Sequence, residues 1–158
     1  MCGSGVDRLL IRSGFLLLAG LGLASAQTEK PGVRIVTPSD IQFVPVPGYP
    51  AGYARMMLDG KADEPGNHTY RVRLAARFKT EPHTHPADEH VTVLQGTWYL
   101  GLGESFDAAR LKAVPAGSFV TIPAGTAHFI STETETIVQV QGVGPVRMSL
   151  VNTRRQQE

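Results

Sequence analysis

Three histidines and one glutamate, placed in two separate segments, are the residues of this chain whose types and spacing fit metal chemistry. His83 and His85 are separated by one residue, and Glu89 follows four residues after His85. His128 stands far downstream. Imidazole nitrogens and carboxylate oxygens are ligands of divalent transition metals. Because alternate side chains of a strand share one face, His83 and His85 can reach the same ion. The spacing predicts one metal site with these four ligands.

Three other titratable residues lie near these segments. Asp88 competes with Glu89 for the carboxylate position, but a shift of one residue along a strand reverses the face, so Glu89 is preferred. His90 is expected to point away from the metal for the same reason. His68 follows the turn sequence Pro-Gly-Asn and is expected to be solvated. A His-x-His pair alone is also found as two solvated side chains, so Glu89 and His128 are what favour a metal site.

The ligand set predicts room for a substrate. Four protein ligands leave two positions of an octahedral ion for water, dioxygen or a bidentate molecule. Strand parity places Val91 and Val93 on the face of Glu89, and it places Ile130 on the face of the distant histidine. We therefore expect a mostly apolar cavity beside the metal, which suits a small, partly apolar ligand.

Two arginines are candidates for binding a substrate carboxylate, because a guanidinium forms paired hydrogen bonds with a carboxylate. These are Arg55 and Arg73. The alternative is a solvated basic face, since basic and apolar residues alternate from 71 to 79. Trp98 and Tyr99 point to opposite faces of one predicted strand, so one of them faces the interior, and packing alone also accounts for both.

The first 26 residues have the pattern of an export signal. Arg8 and Arg12 precede an apolar run over residues 14–23, which is followed by Ala-Ser-Ala. A membrane anchor is the alternative, but the run is shorter than the ~20 apolar residues that cross a bilayer. We expect cleavage after Ala26, a periplasmic or secreted protein, and no membrane association afterwards. Cleavage also removes Cys2, the only cysteine, so no thiol ligand remains.

Composition limits the class of partner. The chain has 158 residues, which fit one domain, and 42% of them are hydrophobic. Its 15 basic and 14 acidic residues nearly cancel, so no basic surface for nucleic acid is expected. A small molecule is the expected partner.

Short runs of β-branched and aromatic residues, separated by glycine, proline and asparagine, predict an all-β fold. No stretch has a helical period over three turns, and only residues 106–110 are expected to form a helical turn. Four prolines between residues 38 and 50 predict an extended arm over 27–52, before a barrel over 53–151. The predicted strands are 41–44, 53–58, 70–78, 90–94, 97–100, 118–122, 127–131, 136–141 and 146–151.

The first segment resembles the first of the two motifs of the cupin superfamily. That motif is written G-x5-H-x-H-x3-E-x6-G. It is matched in register by His83, His85, Glu89 and Gly96. Arg77 stands where the motif begins with glycine, and this departure does not affect a ligand.

The second segment resembles the second cupin motif, G-x5-P-x-G-x2-H-x3-N. It is matched by Gly117, Pro123, Gly125 and His128, and Thr132 replaces the closing asparagine. The chain is therefore identified as a member of the cupin superfamily, with the direct resemblance covering residues 70–131.

The resemblance implies a double-stranded β-helix, or jelly-roll barrel, of six to eight strands with the metal at one open end. It also implies a homodimer, since single-domain cupins are often dimers. The superfamily includes dioxygenases, decarboxylases, isomerases, metal-free sugar binders and storage proteins, so the fold alone does not fix an activity. The ligand set suits one divalent ion of Mn, Fe, Co, Ni, Cu or Zn.

Three functions remain as hypotheses. The first is a metalloenzyme acting on a small oxygen-bearing molecule by oxygenation, decarboxylation or isomerisation, with Glu89 as a candidate catalytic base. The second is a module that binds or senses a small ligand through the metal without changing it. The third is a closed metal site that only reinforces the barrel.

Overall fold

Residues 32–151 are described by the computed structural model, and from Ile35 onward they belong to one compact unit. Two 3-10 turns cover Pro38–Asp40 and Ala108–Arg110. The strands are β1 (Val44–Pro45), β2 (Tyr53–Asp59), β3 (Gly66–Leu74), β4 (His83–Thr84), β5 (Glu89–Gln95), β6 (Thr97–Leu102), β7 (Lys112–Pro115), β8 (Phe119–Ile122), β9 (His128–Ser131), β10 (Thr136–Gly144) and β11 (Ser149–Leu150).

The strands form two antiparallel sheets. The first sheet has the order β1-β2-β3-β10-β5-β8, and the second has the order β11-β4-β9-β6-β7. Alternation along β3 buries Tyr70, Val72 and Leu74 while leaving Arg73 exposed. The core draws on both sheets, because it joins these residues to Trp98 of the second sheet. The all-β, double-sheet jelly-roll barrel predicted from the sequence is confirmed.

The position of β3 differs from the prediction of residues 70–78. The strand is Gly66–Leu74, because Gly66, Asn67 and His68 continue the antiparallel ladder with the end of β10. Tertiary pairing thus overrides the turn propensity of glycine and asparagine. The prediction that His68 is solvated is wrong, since the residue is only 5% exposed.

Several other boundaries also differ from the sequence predictions. The short strands β4 and β7 carry no alternating pattern long enough to predict them. Pro45 pairs with Ala54 at the edge of the first sheet, so part of the predicted arm is a strand, at an edge position that tolerates proline. The helical turn near residues 106–110 is confirmed, and the Asp107 side chain accepts a hydrogen bond from the backbone N–H of Ala109.

The predicted export signal over residues 1–26, together with Cys2, lies outside the described residues. Within residues 32–151, no helix is long and apolar enough to cross a membrane. Export, and the homodimer that the resemblance implies, stay predictions.

The two departures from the cupin motifs meet in one turn. Arg77 has a φ of 60° and is the only non-glycine residue of the described range with a positive φ, a conformation that glycine adopts more easily. The Thr132 hydroxyl donates to the Ala75 carbonyl oxygen at 2.7 Å. The same hydroxyl accepts from the backbone N–H of Phe78 at 3.1 Å. Thr132 therefore closes the turn that carries Arg77.

Replacing Thr132 with valine should lower the free energy of unfolding by about 1–3 kcal/mol, because the isosteric side chain removes both hydrogen bonds of the hydroxyl, each worth about 0.5–1.5 kcal/mol. Thr132 is only 4% exposed, so water cannot replace the hydroxyl. Chemical denaturation measures the change. Thr134→Val is the matched control at an exposed position, where little change is expected. Equal losses in the two variants would contradict the role given to the Thr132 hydroxyl.

Candidate metal centre

Strands β4 and β9 place two of the histidines side by side. His83 of β4 pairs directly with His128, the first residue of β9, and their ring centres are 4.3 Å apart. His85 follows β4, and its ring centre lies 5.1 Å from that of His83 and 5.5 Å from that of His128. One ligand nitrogen from each ring lies within 4.8 Å of the other two. The structure therefore brings together the three imidazoles singled out in the sequence.

Glu89 reaches the histidines from the opposite sheet. It begins β5 in the first sheet, whereas β4 and β9 belong to the second. The chain bends at residues 86 and 87, so the path from His85 to Glu89 is not extended and strand parity does not relate these two residues. The carboxylate nevertheless lies beside the histidines. Glu89 Oε2 is 3.4 Å from Nε2 of His85 and 3.9 Å from Nε2 of His128.

Backbone carbonyls fix the orientation of all three imidazoles. Each Nδ1 lies within hydrogen-bond distance of a carbonyl oxygen, which can only accept. Each Nδ1 is therefore the protonated nitrogen of a neutral ring, and each Nε2 keeps its lone pair. Histidines that bind metals are typically held in this way. The pairs are His83 with Glu81 at 2.8 Å, His85 with Arg147 at 2.7 Å and His128 with Thr126 at 3.0 Å.

Burial sets the protonation states of the cluster. Desolvation lowers the pKa of His83 to about 3, and it also lowers the pKa of His85 and His128. Desolvation raises the pKa of Glu89 to about 7, and the electrostatic effect that His128 exerts when protonated acts in the opposite direction. Neutral imidazole is the form that binds metals. Three neutral imidazoles beside a desolvated carboxyl favour a cation among them, so the donor set fits a divalent transition metal.

Asp88 forms a hydrogen bond with the backbone of the second motif. Its Oδ1 accepts a hydrogen bond from the backbone N–H of Ala124 at 2.8 Å. The N–H of Gly125, which has a φ of 74°, donates to the His85 carbonyl oxygen at 2.8 Å. These two bonds connect residues 85–88 of the first motif to residues 124–125 of the second motif. The geometry favours the glutamate over Asp88 as a ligand, and His90 is exposed, as predicted.

A cavity of about 70 Å³ lies beside the histidines. This space is large enough for a few water molecules or a small ligand. Val91 and Ile130 line it, as strand parity predicts, whereas Val93 lies within the packed core. Trp98 lines the cavity and is 4% exposed, while Tyr99 on the opposite face is more exposed. Trp98 is therefore the inward member of that pair.

Three tyrosines that the sequence patterns do not single out also line this cavity. They are Tyr49, which precedes β2, Tyr53 of β2 and Tyr70 of β3. The rings of Tyr49 and Tyr53 stack with centres 4.4 Å apart. Burial raises the pKa of all three, so their hydroxyls stay protonated and can donate hydrogen bonds. The alternation along β3 predicts that Tyr70 faces the interior. No pattern in the sequence predicts the position of Tyr49, because that position depends on how the proline-rich segment packs.

Comparison with known proteins gives a family match and several similar folds. A family model described as "Domain of unknown function (DUF4437)" matches residues 35–146. No curated protein matches the sequence. The polyketide cyclase RemF from Streptomyces resistomycificus has a TM-score of 0.63 and 21% identity, over 76% of this chain and 86% of RemF.

Two further solved structures share the fold. An RmlC-like cupin from Shewanella frigidimarina has a TM-score of 0.55 and 14% identity, over 71% of this chain and 91% of that protein. An oxalate oxidase has a TM-score of 0.51 and 25% identity, over 68% of this chain and 59% of the oxidase. These matches extend over most of the chain, so the likeness concerns the whole barrel.

Proposed function

The chain belongs to the DUF4437 family and has the cupin fold, and we propose that it binds one divalent transition metal ion and transforms a small organic molecule. The proposed ligands are His83, His85, His128 and Glu89. The observation that carries the proposal is the convergence of three imidazoles whose Nδ1 atoms are all held by carbonyls. Burying these nitrogens beside a carboxyl costs free energy that a bound cation would offset.

The residues around the site have separable roles. A bound ion would supply a Lewis acid that polarises a substrate oxygen. Glu89 is the candidate base for a step in which its carboxylate would leave the ion transiently, because burial raises its pKa to about 7 in the metal-free site. Val91 and Ile130 limit the access of water beside it. Oxygenation, decarboxylation and isomerisation are the proposed reaction types, with Mn, Fe, Ni, Cu or Zn as the ion.

The cavity supports a small-molecule function over a purely structural metal. His83, His85, His128 and Glu89 all line it, so a ligand there would lie directly against the proposed site. A structural site would instead be closed by protein on all sides. The same cavity suits non-catalytic binding or sensing, which is the second candidate function.

Elemental analysis tests the metal first. Protein purified from its native source should carry about one transition metal ion per chain, as expected for a single four-ligand site. Absence of bound metal in that protein, together with failure to take up any of the five ions in vitro, would reject the proposal.

Turnover is tested on the metal-loaded protein with a panel of small oxygen-bearing acids. Oxygenation consumes dioxygen, decarboxylation releases carbon dioxide, and isomerisation does neither but changes the NMR spectrum of the substrate. His128→Ala is the control for free metal and contaminating activity. Tight binding of a compound that is returned unchanged would favour the binding or sensing module.

A further inference from the structure

The fold places the two candidate arginines on opposite faces of the first sheet. Arg55 of β2 pairs with Val72 of β3, which is buried in the core, so the Arg55 side chain shares the inner face. Arg73 is the next residue along β3 and points the other way. It is exposed, and its guanidinium lies 5.2 Å from the ring centre of Phe43. Only Arg55 is directed towards the interior of the barrel.

The guanidinium of Arg55 lies against the aromatic wall of the cavity. Its central carbon is 5.3 Å from the ring centre of Tyr70, which lines the cavity. Its charge also acts on Tyr49 and Tyr53, where it opposes the rise in pKa caused by burial. A permanent cation therefore stands beside three protonated phenols, each of which can donate a hydrogen bond.

Arg55 has no acidic partner among residues 32–151. The ion pairs of that range are Lys61 with Glu64, Arg110 with Asp107, and Glu89 with His85 and His128. A partly buried cation without a counterion costs free energy, which the face of the Tyr70 ring offsets only in part. No lysine or arginine lines the cavity itself, and Arg55 lies next to Tyr70 of its wall, so a ligand would have to extend past the tyrosines to reach the guanidinium.

We propose that Arg55 binds the carboxylate of a small acidic ligand whose remaining atoms occupy the cavity beside the histidines. The planar guanidinium can form two parallel hydrogen bonds with a carboxylate, and the tyrosine hydroxyls add further donors. The cavity of about 70 Å³ limits the ligand to a small acid. The inference rests on the proposed function, because it places the reacting part of the ligand at the histidines, and it adds the substrate class: a small organic carboxylate.

Propionate and propionamide are matched probes, because they have the same shape and differ in charge. At about pH 6, propionate is ionised and propionamide is neutral. Ligand-observed NMR measures both affinities, and the fluorescence of Trp98, the only tryptophan in the chain, reports binding in the cavity. The protein as isolated should bind propionate at least about tenfold more tightly than propionamide, as expected for a hydrogen-bonded charge.

Variants of the two arginines test whether Arg55 causes the preference for propionate over propionamide. Arg55→Gln should remove it, whereas Arg73→Gln should keep it, because Arg73 lies on the outer face of the neighbouring strand. Arg55→Lys keeps the charge without the paired donors and should retain an intermediate preference, which also covers the case in which Arg55→Gln does not fold. Equal binding of the two probes by the unmodified protein, an unchanged preference in the Arg55 variants, or an equal loss in Arg73→Gln would overturn the inference.

The titrations are repeated after removal of metal with a chelator, so that the inference and the proposed function can fail separately. Metal content tests the proposed function, and the Arg55-dependent preference tests the inference. A protein that never binds metal but shows the preference would reject the metal site alone. A metal-loaded protein without the preference would reject the role of Arg55 alone.

Discussion

Replacing His128 with alanine should weaken metal binding by more than about 100-fold, because loss of a ligand exceeds the 10–100-fold cost of losing a group that merely supports one. His128 is 2% exposed, so no other described side chain can move into its position without rearrangement of the core. Its Nε2 lies within 4.8 Å of the ligand nitrogens of His83 and His85. Elemental analysis after desalting should find less than about a tenth of the metal of the unmodified protein.

His90→Ala is the matched control for this experiment. His90 lies on β5 directly after Glu89 but is exposed, with its ring centre 6.0 Å from that of Phe119. Its removal should leave the metal content unchanged. Thermal unfolding of both variants separates loss of a ligand from loss of the fold. A folded His128→Ala protein that keeps its full content of metal would show that the ion is bound elsewhere.

Metal binding at about pH 7 should release about half a proton on average, and that proton should come from Glu89. Burial raises the pKa of Glu89 from 4.5 to about 7, so the carboxyl of the metal-free protein is partly protonated at this pH and must lose its proton to act as a ligand. The pKa of His83 is lowered to about 3, and those of His85 and His128 are lowered as well. These rings are therefore mostly neutral at about pH 7, and they contribute few protons.

Calorimetry in buffers with different ionisation enthalpies measures the number of protons released. The value should be about one half at about pH 7 and should approach zero at about pH 9, where Glu89 is already ionised. Glu89→Gln keeps the shape of the side chain and should release none at either pH, while binding metal more weakly. Release of two or more protons at neutral pH would mean that the histidines are charged in the metal-free site.

The sequence predicts the central strands better than the edges of the sheets. Strands β5 and β10 carry runs of β-branched residues, and these runs alone predict them. The start of β3 is different, because Gly66 and Asn67 favour a turn and become a strand only by pairing with β10. Pairing between distant strands is a tertiary interaction, so local propensity does not contain it.

The sequence likewise predicts only part of the candidate site. His83, His85, Glu89 and His128 are recognisable because metal ligands must be of a few residue types at a fixed spacing. The sequence does not show that Glu89 lies on the opposite sheet from the histidines, because this depends on a bend in the chain at residues 86 and 87. Strand parity favours Glu89 over Asp88, and Glu89 does lie beside the histidines, but the bend in the chain means that strand parity is not the reason.

The amino-acid sequence by itself determined which side chains are candidates for chemistry and that the chain is built of strands, because residue type and hydrophobic alternation are local properties. Only the tertiary structure decided that Arg55 faces the interior while Arg73 faces outward, that His68 is buried, and that Tyr49 joins the wall of the cavity. These outcomes depend on which strands pair and in which register. A change of one residue in that register would reverse the face of every side chain along the strand.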